Sequence, residues 1–474
     1  MPRVPELAER NTPHLKTDAF LRGFGKLILS TFYRQIEVVG MELMPTTGPV
    51  IVVANHVNSI VDGALLTAYL SRMPRLLAAS TVWENKPIAP LLNAAGVIPI
   101  YRQQDAGGTV NNKEAFSKAY DLLESGGVLS LFPEGITHNE PFVSPVKTGA
   151  ARIALQAEDL RGPLGIRIVP VGLIFDNKSK FRSRVLLQMG PPIDLSSIIE
   201  KYTQGDDKTR RTVVNELTEN VMTAISELTH NYENWDEARL ISRAAAIWSR
   251  PTLDLPSKEI LSERFKKQQL FLQGYRWMTK NHPRRTTAVK NVLIEYDEYL
   301  SSFRLRDEQV GAEYPAPLVI NFIGRAIFTL LIRTNISLLG TILNLLPYFV
   351  TKLIGGSYGL DQRATWSIFP SLMVFPVFWL AESIGIAIIS SQWWGMSSGA
   401  AIGSAAFILA PISGRIALTF HDKLHQLFCE GRAWVLLRAK KRLTGHLVEK
   451  RQEVLEQIQK LVEVYQSVSE PKSS

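Results

Sequence analysis

Apolar and polar positions fall into blocks whose length and period divide the chain into zones. Between about 41 and 200, short β-rich apolar runs recur at 50–54, 75–80, 97–100, 128–132, 166–175 and 184–189. Helical stretches at 62–71, 109–125 and 148–159 separate several of them. Strands alternating with helices predict an α/β fold, a mixed sheet covered by helices. Before this zone, Phe20, Leu21, Phe24, Leu27, Ile28 and Phe32 recur at helical spacing, interleaved with Arg22, Lys26 and Arg34. That lead-in, over 1–40, reads as a basic amphipathic helix, which suits a bilayer interface and suits equally the surface of its own domain.

After the α/β zone the period becomes helical. Over 201–314, Val214, Leu217, Val221, Ile225 and Leu228 trace one stripe, and Pro251, Pro256 and Pro283 break the region into segments. Hydrophobicity concentrates over 315–420. The stretch 318–354 carries Arg325 and Arg333 and admits two readings, a span over about 334–354 or a helix lying in the interface. The stretch 366–390 holds only Glu382 as a charge, and 393–412 holds none. At ~1.5 Å per residue each is long enough to cross a bilayer. The short link Ser390-Ser391-Gln392-Trp393-Trp394 makes the pair a predicted helical hairpin. Lys352, Arg363, Arg415 and Lys423 flank its outer ends and place them in the cytosol. Gly395, Gly399 and Gly403 repeat at every fourth position, a spacing that lets helix backbones approach closely. An amphipathic C-terminal helix over 421–474, with its pattern already starting near 415, carries Leu443, Leu447, Val454, Ile458 and Leu461 on its apolar side.

Candidate chemistry begins where the strand at 50–54 ends in Asn55-His56, with Asp62 five intervening residues later. A carboxylate on one imidazole nitrogen fixes the tautomer and leaves the other free as a base. On its own, such a pair reads as a helix-capping aspartate beside a structural histidine. Three further features change that reading. Phe132-Pro133-Glu134-Gly135-Ile136-Thr137-His138 forms a tight turn after the strand at 128–132. Gly96-Val97-Ile98-Pro99-Ile100-Tyr101-Arg102 sets an arginine past another strand end, where a guanidinium suits a phosphate. Lys147, just before a helix start, is a second phosphate candidate. Ile168-Val169-Pro170-Val171-Gly172 is a strand containing proline, which predicts an edge or a bulge.

This order of motifs resembles the glycerolipid acyltransferase family, whose members include lysophosphatidate and glycerol-3-phosphate acyltransferases; the resemblance covers about residues 38–195. Two departures, the extra residue between His56 and Asp62 and Ile136-Thr137-His138 in place of Thr-Arg, are similar to the fungal glycerol-3-phosphate/dihydroxyacetone-phosphate acyltransferases, as is Phe181-Arg182-Ser183-Arg184. The resemblance implies a glycerolipid acyltransferase fold followed by a helical region and C-terminal membrane helices. It implies transfer of an acyl group from acyl-CoA or acyl-carrier protein to a glycerol phosphate acceptor, with His56 and Asp62 catalytic. Glu134, Gly135 and Thr137 then hold the acceptor, and Arg102, Lys147 and Arg184 its phosphate. No metal or further cofactor is expected, since a thiolate leaves readily. The expected setting is a lipid bilayer, with the catalytic domain on the cytosolic side of the endoplasmic reticulum or of a bacterial inner membrane.

Composition adds constraints. The net charge of +9, from 53 basic and 44 acidic residues, is scattered, and no zinc-finger or RNA-recognition signature accompanies it, which argues against nucleic acid. The one cysteine, Cys429, excludes an internal disulfide and a thiolate zinc site. The polar N-terminus lacks a signal-peptide core. Gly355-Gly356-Ser357-Tyr358-Gly359 matches the nucleophile-elbow pattern of a hydrolase, but no strand leads into it, so it reads as an interhelical linker.

Overall fold

The computed structural model describes residues 15–102, 112–250, 260–310 and 316–469. The first positions of the predicted lead-in and of the 109–125 helix, with Pro251 and Pro256, lie outside them. The chain forms two compact units, one of Met1–Asn231 with Thr351–Pro370, the other of Tyr232–Val350 with Ser371–Ser474.

Among its described residues the first unit is built on eight strands: Gln35–Val39 (β1), Val50–Ala54 (β2), Arg75–Ala79 (β3), Ile98–Ile100 (β4), Val128–Leu131 (β5), Arg167–Phe175 (β6), Arg184–Met189 (β7) and Ile193–Asp194 (β8). Their order is β1-β7-β6-β2-β5-β3-β4, with β8 paired to β6. All pairings are parallel except β6 with β7 and with β8, so the sheet is mixed, as the alternation predicts. Helices Leu15–Phe32 (α1), Ile60–Tyr69 (α2), Ala89–Ala94 (α3), Lys113–Glu124 (α4), Gly149–Arg161 (α5), Ser196–Thr203 (α6) and Asp207–Glu227 (α7) surround it. Successive β2 side chains point to opposite faces. Ile51 and Val53 join one core with Leu129, Ala154 and Leu217. Val50, Val52 and Ala54 join another with Leu29, Leu65 and Val169.

Pro170 meets one of its two alternatives: β6 is central and no edge, but between the pairs Val171–Met189 and Ile168–Ile193 β6 has two residues and the facing chain three, a one-residue bulge opposite Pro170. β8 pairs with Arg167 and Ile168, and β7 with Val171 onward, so Pro170 falls where β6 changes partner. Its carbonyl accepts from Gly190 N at 2.9 Å on that side. Within a strand a residue's N–H and C=O point the same way, so the missing donor costs the ladder with β2 nothing.

In the second unit, Trp235–Trp248 (α8), Leu261–Asn281 (α9) and Pro283–Ser302 (α10) precede the long helices Ala316–Gly356 (α11), Arg363–Trp394 (α12), Met396–Ala439 (α13) and Lys441–Ser469 (α14); the unit boundaries cross α11 and α12. Ile247, Leu293, Tyr296, Leu300, Leu447 and Val454 share a core. Among the described residues, three helical segments are long and apolar enough to cross a membrane: Ser337–Gly356 within α11, Arg363–Trp394 and Met396–Ala439. Two boundaries differ from expectation. Ser390–Trp394 is helical, and the reversal falls on Gly395 at φ 82°, a conformation that suits a residue without Cβ. The predicted final helix is two, broken at Lys440. A Cβ on Gly399 would lie 2.6 Å from Ala387 O and one on Gly403 2.8 Å from Ser383 O, so the small-residue spacing does bring α12 and α13 together.

Candidate active site

Parallel strands deliver their following loops to one edge of the sheet, the usual site of chemistry in such folds. β2 ends in Asn55-His56, its neighbour β5 in Phe132-Pro133-Glu134, and β4 in Tyr101-Arg102. Asn55 extends β2 by one side-chain rung, its Nδ2 donating to Leu173 O at 3.0 Å and its Oδ1 accepting from Leu173 N at 2.7 Å. The chain then turns into α2 through Ser59 at φ 48°, a strained value for a residue with a Cβ. This turn returns Asp62 to the histidine despite the longer spacing.

Asp62 is fully buried and its Oδ2 stands 3.0 Å from His56 Nδ1. The same oxygen accepts from Val57 N at 2.9 Å and Asn58 N at 2.7 Å. An ionised carboxylate only accepts, so Nδ1 carries the proton and Nε2 is left with its lone pair. Thr137 Oγ1 lies 3.0 Å from that Nε2. The imidazole stacks on Phe132, centroids 4.1 Å apart and planes at 12°.

Glu134 is buried at the centre of the next loop. Its Oε1 accepts from His56 N at 2.6 Å, and its Oε2 accepts from Ser144 N at 2.7 Å and pairs with His138 Nε2. Both oxygens are therefore engaged by protein groups. Gly135, at φ 71°, carries two cations around it: Arg102 Nη1 donates to Gly135 O at 3.1 Å, and a Cβ on Gly135 would lie 2.8 Å from Lys147 Nζ. Lys147 is tied by its own N–H to Pro133 O at 2.8 Å.

The structure thus gathers His56, Asp62, Thr137, Glu134, Gly135, Arg102 and Lys147 within linked contacts. Arg184 stands apart at the start of β7, across β6 from β2, ion-paired with Asp176 at 2.5 Å. Ser357 fits no elbow: it follows a helix, and its Oγ donates to Leu353 O at 3.3 Å. Sequence reasoning missed the stacking of Phe132, the Glu134–His138 pair, and Lys178, whose Nζ donates to Val57 O at 2.7 Å and His138 O at 2.9 Å. Phe132 and His138 sat inside a motif read for its glutamate and threonine; Lys178 gave no signal.

Residues 35–174 match the family described as Acyltransferase, and residues 251–467 match the glycerol-3-phosphate acyltransferase 2 C-terminal domain. Glycerol-3-phosphate O-acyltransferase 2 of Saccharomyces cerevisiae is 27% identical over 60% of this chain and 39% of its own length. Glycerol-3-phosphate O-acyltransferase 1 of the same yeast is 26% identical over 42% of this chain and 26% of its own. The chain therefore spans well under half the length of these relatives. A crystal structure of the 1-acyl-sn-glycerophosphate acyltransferase PlsC from Thermotoga maritima aligns with TM-score 0.33 and 19% identity, over 46% of this chain and 81% of that one. The chain thus joins a region that matches the Acyltransferase family, carrying the His56–Asp62 pair and the Phe132–His138 loop, to a C-terminal region that matches the glycerol-3-phosphate acyltransferase 2 type, and it is similar to the fungal glycerol-3-phosphate acyltransferases.

Proposed function

We propose that this protein is a membrane-bound O-acyltransferase of glycerolipid synthesis. It moves a fatty acyl group from a CoA or carrier-protein thioester to glycerol 3-phosphate or a related phosphate-bearing acceptor. The observation that carries this is the His56 ring, oriented by a buried Asp62 at 3.0 Å, with its Nε2 beside Thr137 of a loop flanked by two cations.

In the reaction, Nε2 takes the acceptor hydroxyl's proton as that oxygen attacks the thioester carbonyl. Asp62 stabilises the imidazolium. The tetrahedral intermediate collapses with C–S cleavage, and the imidazolium returns its proton to the departing thiolate. Base assistance of this kind contributes roughly 10²–10⁴ in rate. Thr137, beside Nε2, shares the acceptor hydroxyl's hydrogen bond. Arg102 and Lys147 hold its phosphate. The amides of His56, Val57, Asn58 and Gly135 are all engaged, the last with Phe132 O at 3.0 Å. Among the described residues, the Ile136 and Thr137 amides of this loop bond no other group, and we assign them to the developing oxyanion. The yeast relatives' names favour glycerol 3-phosphate as the acceptor. The apolar helices, with basic residues at the outer ends of their hairpin, support a membrane setting with those ends cytosolic.

The test is an acceptor panel with one labelled acyl-CoA and the purified full chain in lipid. Glycerol 3-phosphate, dihydroxyacetone phosphate and lysophosphatidate are each offered to the wild type and to His56→Ala. Acylation of at least one glycerol phosphate, lost in His56→Ala while the fold persists, is the expected result. Labelling of none of them contradicts the reading.

A further inference from the structure

Two loops must keep register for the site to work: that of His56 and that of Thr137. One side chain bridges them from a third element. Lys178, in the loop 176–183 between β6 and β7, donates to the carbonyl next after His56, that of Val57, at 2.7 Å and to the carbonyl next after Thr137, that of His138, at 2.9 Å. Its own backbone is held in turn. Lys178 O accepts from Tyr33 Oη at 3.1 Å and from the buried Asn58 Nδ2 at 3.2 Å. Arg182 N bonds Phe32 O at 2.7 Å, locking the same loop onto the end of α1.

A surface lysine keeps its ammonium in water, because taking it out without compensation is costly. Here the ammonium is half-buried against two neutral carbonyls. Burial pushes its pKa down, and the charges of Asp62 and Asp361 oppose that and favour the ammonium. Asp361 lies in the segment leading into α12, whose Ala364 and Ile368 are buried in the same core as β2 and α2.

We propose that Lys178 is a positioning residue for acyl transfer, setting the spacing between the His56 imidazole and the Gly135–Thr137 loop by bridging the two loop carbonyls. The role rests on the acyltransferase reading above and adds to it; Lys178 touches no reacting atom. A misplacement of about 1 Å between base and acceptor can cost ~10²-fold in rate, so a bridge acting only on geometry has a large effect on turnover.

The experiment compares wild type, Lys178→Met and Lys178→Arg as full chains in lipid. It reads acylation kinetics and backbone hydrogen exchange over 55–62 and 134–140. Lys178→Met should lower kcat by about 10-fold or more with the acceptor KM within about 2-fold. It should raise exchange in those two segments while the sheet stays protected. Lys178→Arg, which keeps the charge and several donors, should recover part of the kcat. Wild-type kcat in Lys178→Met, or a loss confined to KM, overturns the proposal. If Lys178→Met does not fold, Lys178→Gln, which keeps one donor, decides by the same criteria. Exchange unchanged in both segments overturns the bridge whatever reaction the protein performs. Failure of the wild type to acylate any glycerol phosphate sinks the acyltransferase reading separately.

Discussion

At the scale of residues, the proposed reaction separates groups that would meet substrate from groups that hold those in place. Asp62 belongs to the second kind, with one oxygen serving His56 Nδ1 and two backbone amides. Asp62→Asn keeps the shape but removes the charge opposite the imidazolium, so kcat should fall by roughly 10²–10⁴ with little change in acceptor KM, read by steady-state kinetics. Glu134 was expected from its motif to grip acceptor hydroxyls, but its oxygens bind His56 N, Ser144 N and His138. Glu134→Gln should lower kcat and cost about 1–3 kcal/mol in denaturant unfolding, with acceptor KM nearly unchanged. A rise in KM alone would return Glu134 to the acceptor. Arg102→Ala should do the opposite, raising acceptor KM with a smaller effect on kcat. The residues that sequence reasoning found sit in short loops at strand ends, where a histidine, a tight Pro-Glu-Gly turn or an arginine is visible locally. Lys178 was invisible because its partner Val57 is 121 positions away and no local pattern marks it.

At the scale of elements, six strands were legible because apolar runs of four to ten residues, too short for most helices and set between helical or turn segments, fit buried strands. β1, Gln35–Val39, was not: it is an edge strand of half-buried positions that alternates too weakly to stand out. Position within the sheet was also hidden. Pro170 argued for an edge or a bulge without deciding between them; β6 is central, and its pairing slips by one residue where it changes partner at Pro170. The apolar helices were read from length, but not the polar contact that joins them. Asn344 in α11 accepts from Trp379 Nε1 of α12 at 3.0 Å and donates to Ala410 O of α13 at 3.3 Å. Asn344→Leu removes both contacts, and an unfolding assay in detergent should show a loss of about 1–2 kcal/mol.

At the scale of the whole molecule, the acyltransferase unit is discontinuous in sequence. It takes Thr351–Pro370, the end of α11 and the start of α12, and Ala364 and Ile368 complete its core beside Val61, Leu65 and Leu173. Periodicity could not show this, since the pattern of a helix says that one face is apolar and not which core receives it. Ile368→Ala should therefore lower the stability of the acyltransferase unit by about 2–4 kcal/mol, although the residue lies far along the chain from the sheet. Hydrogen exchange over β2 and β6 in the full chain reads that loss.

The central claim is that His56 activates an acceptor hydroxyl against a thioester, and thiol release from acyl-CoA, followed with and without glycerol 3-phosphate, tests it most directly. The account predicts release that depends on the acceptor, yields acylated product in equal amount, and disappears in His56→Ala. Acceptor-independent release that survives in His56→Ala, above all release lost in Ser357→Ala instead, would contradict it.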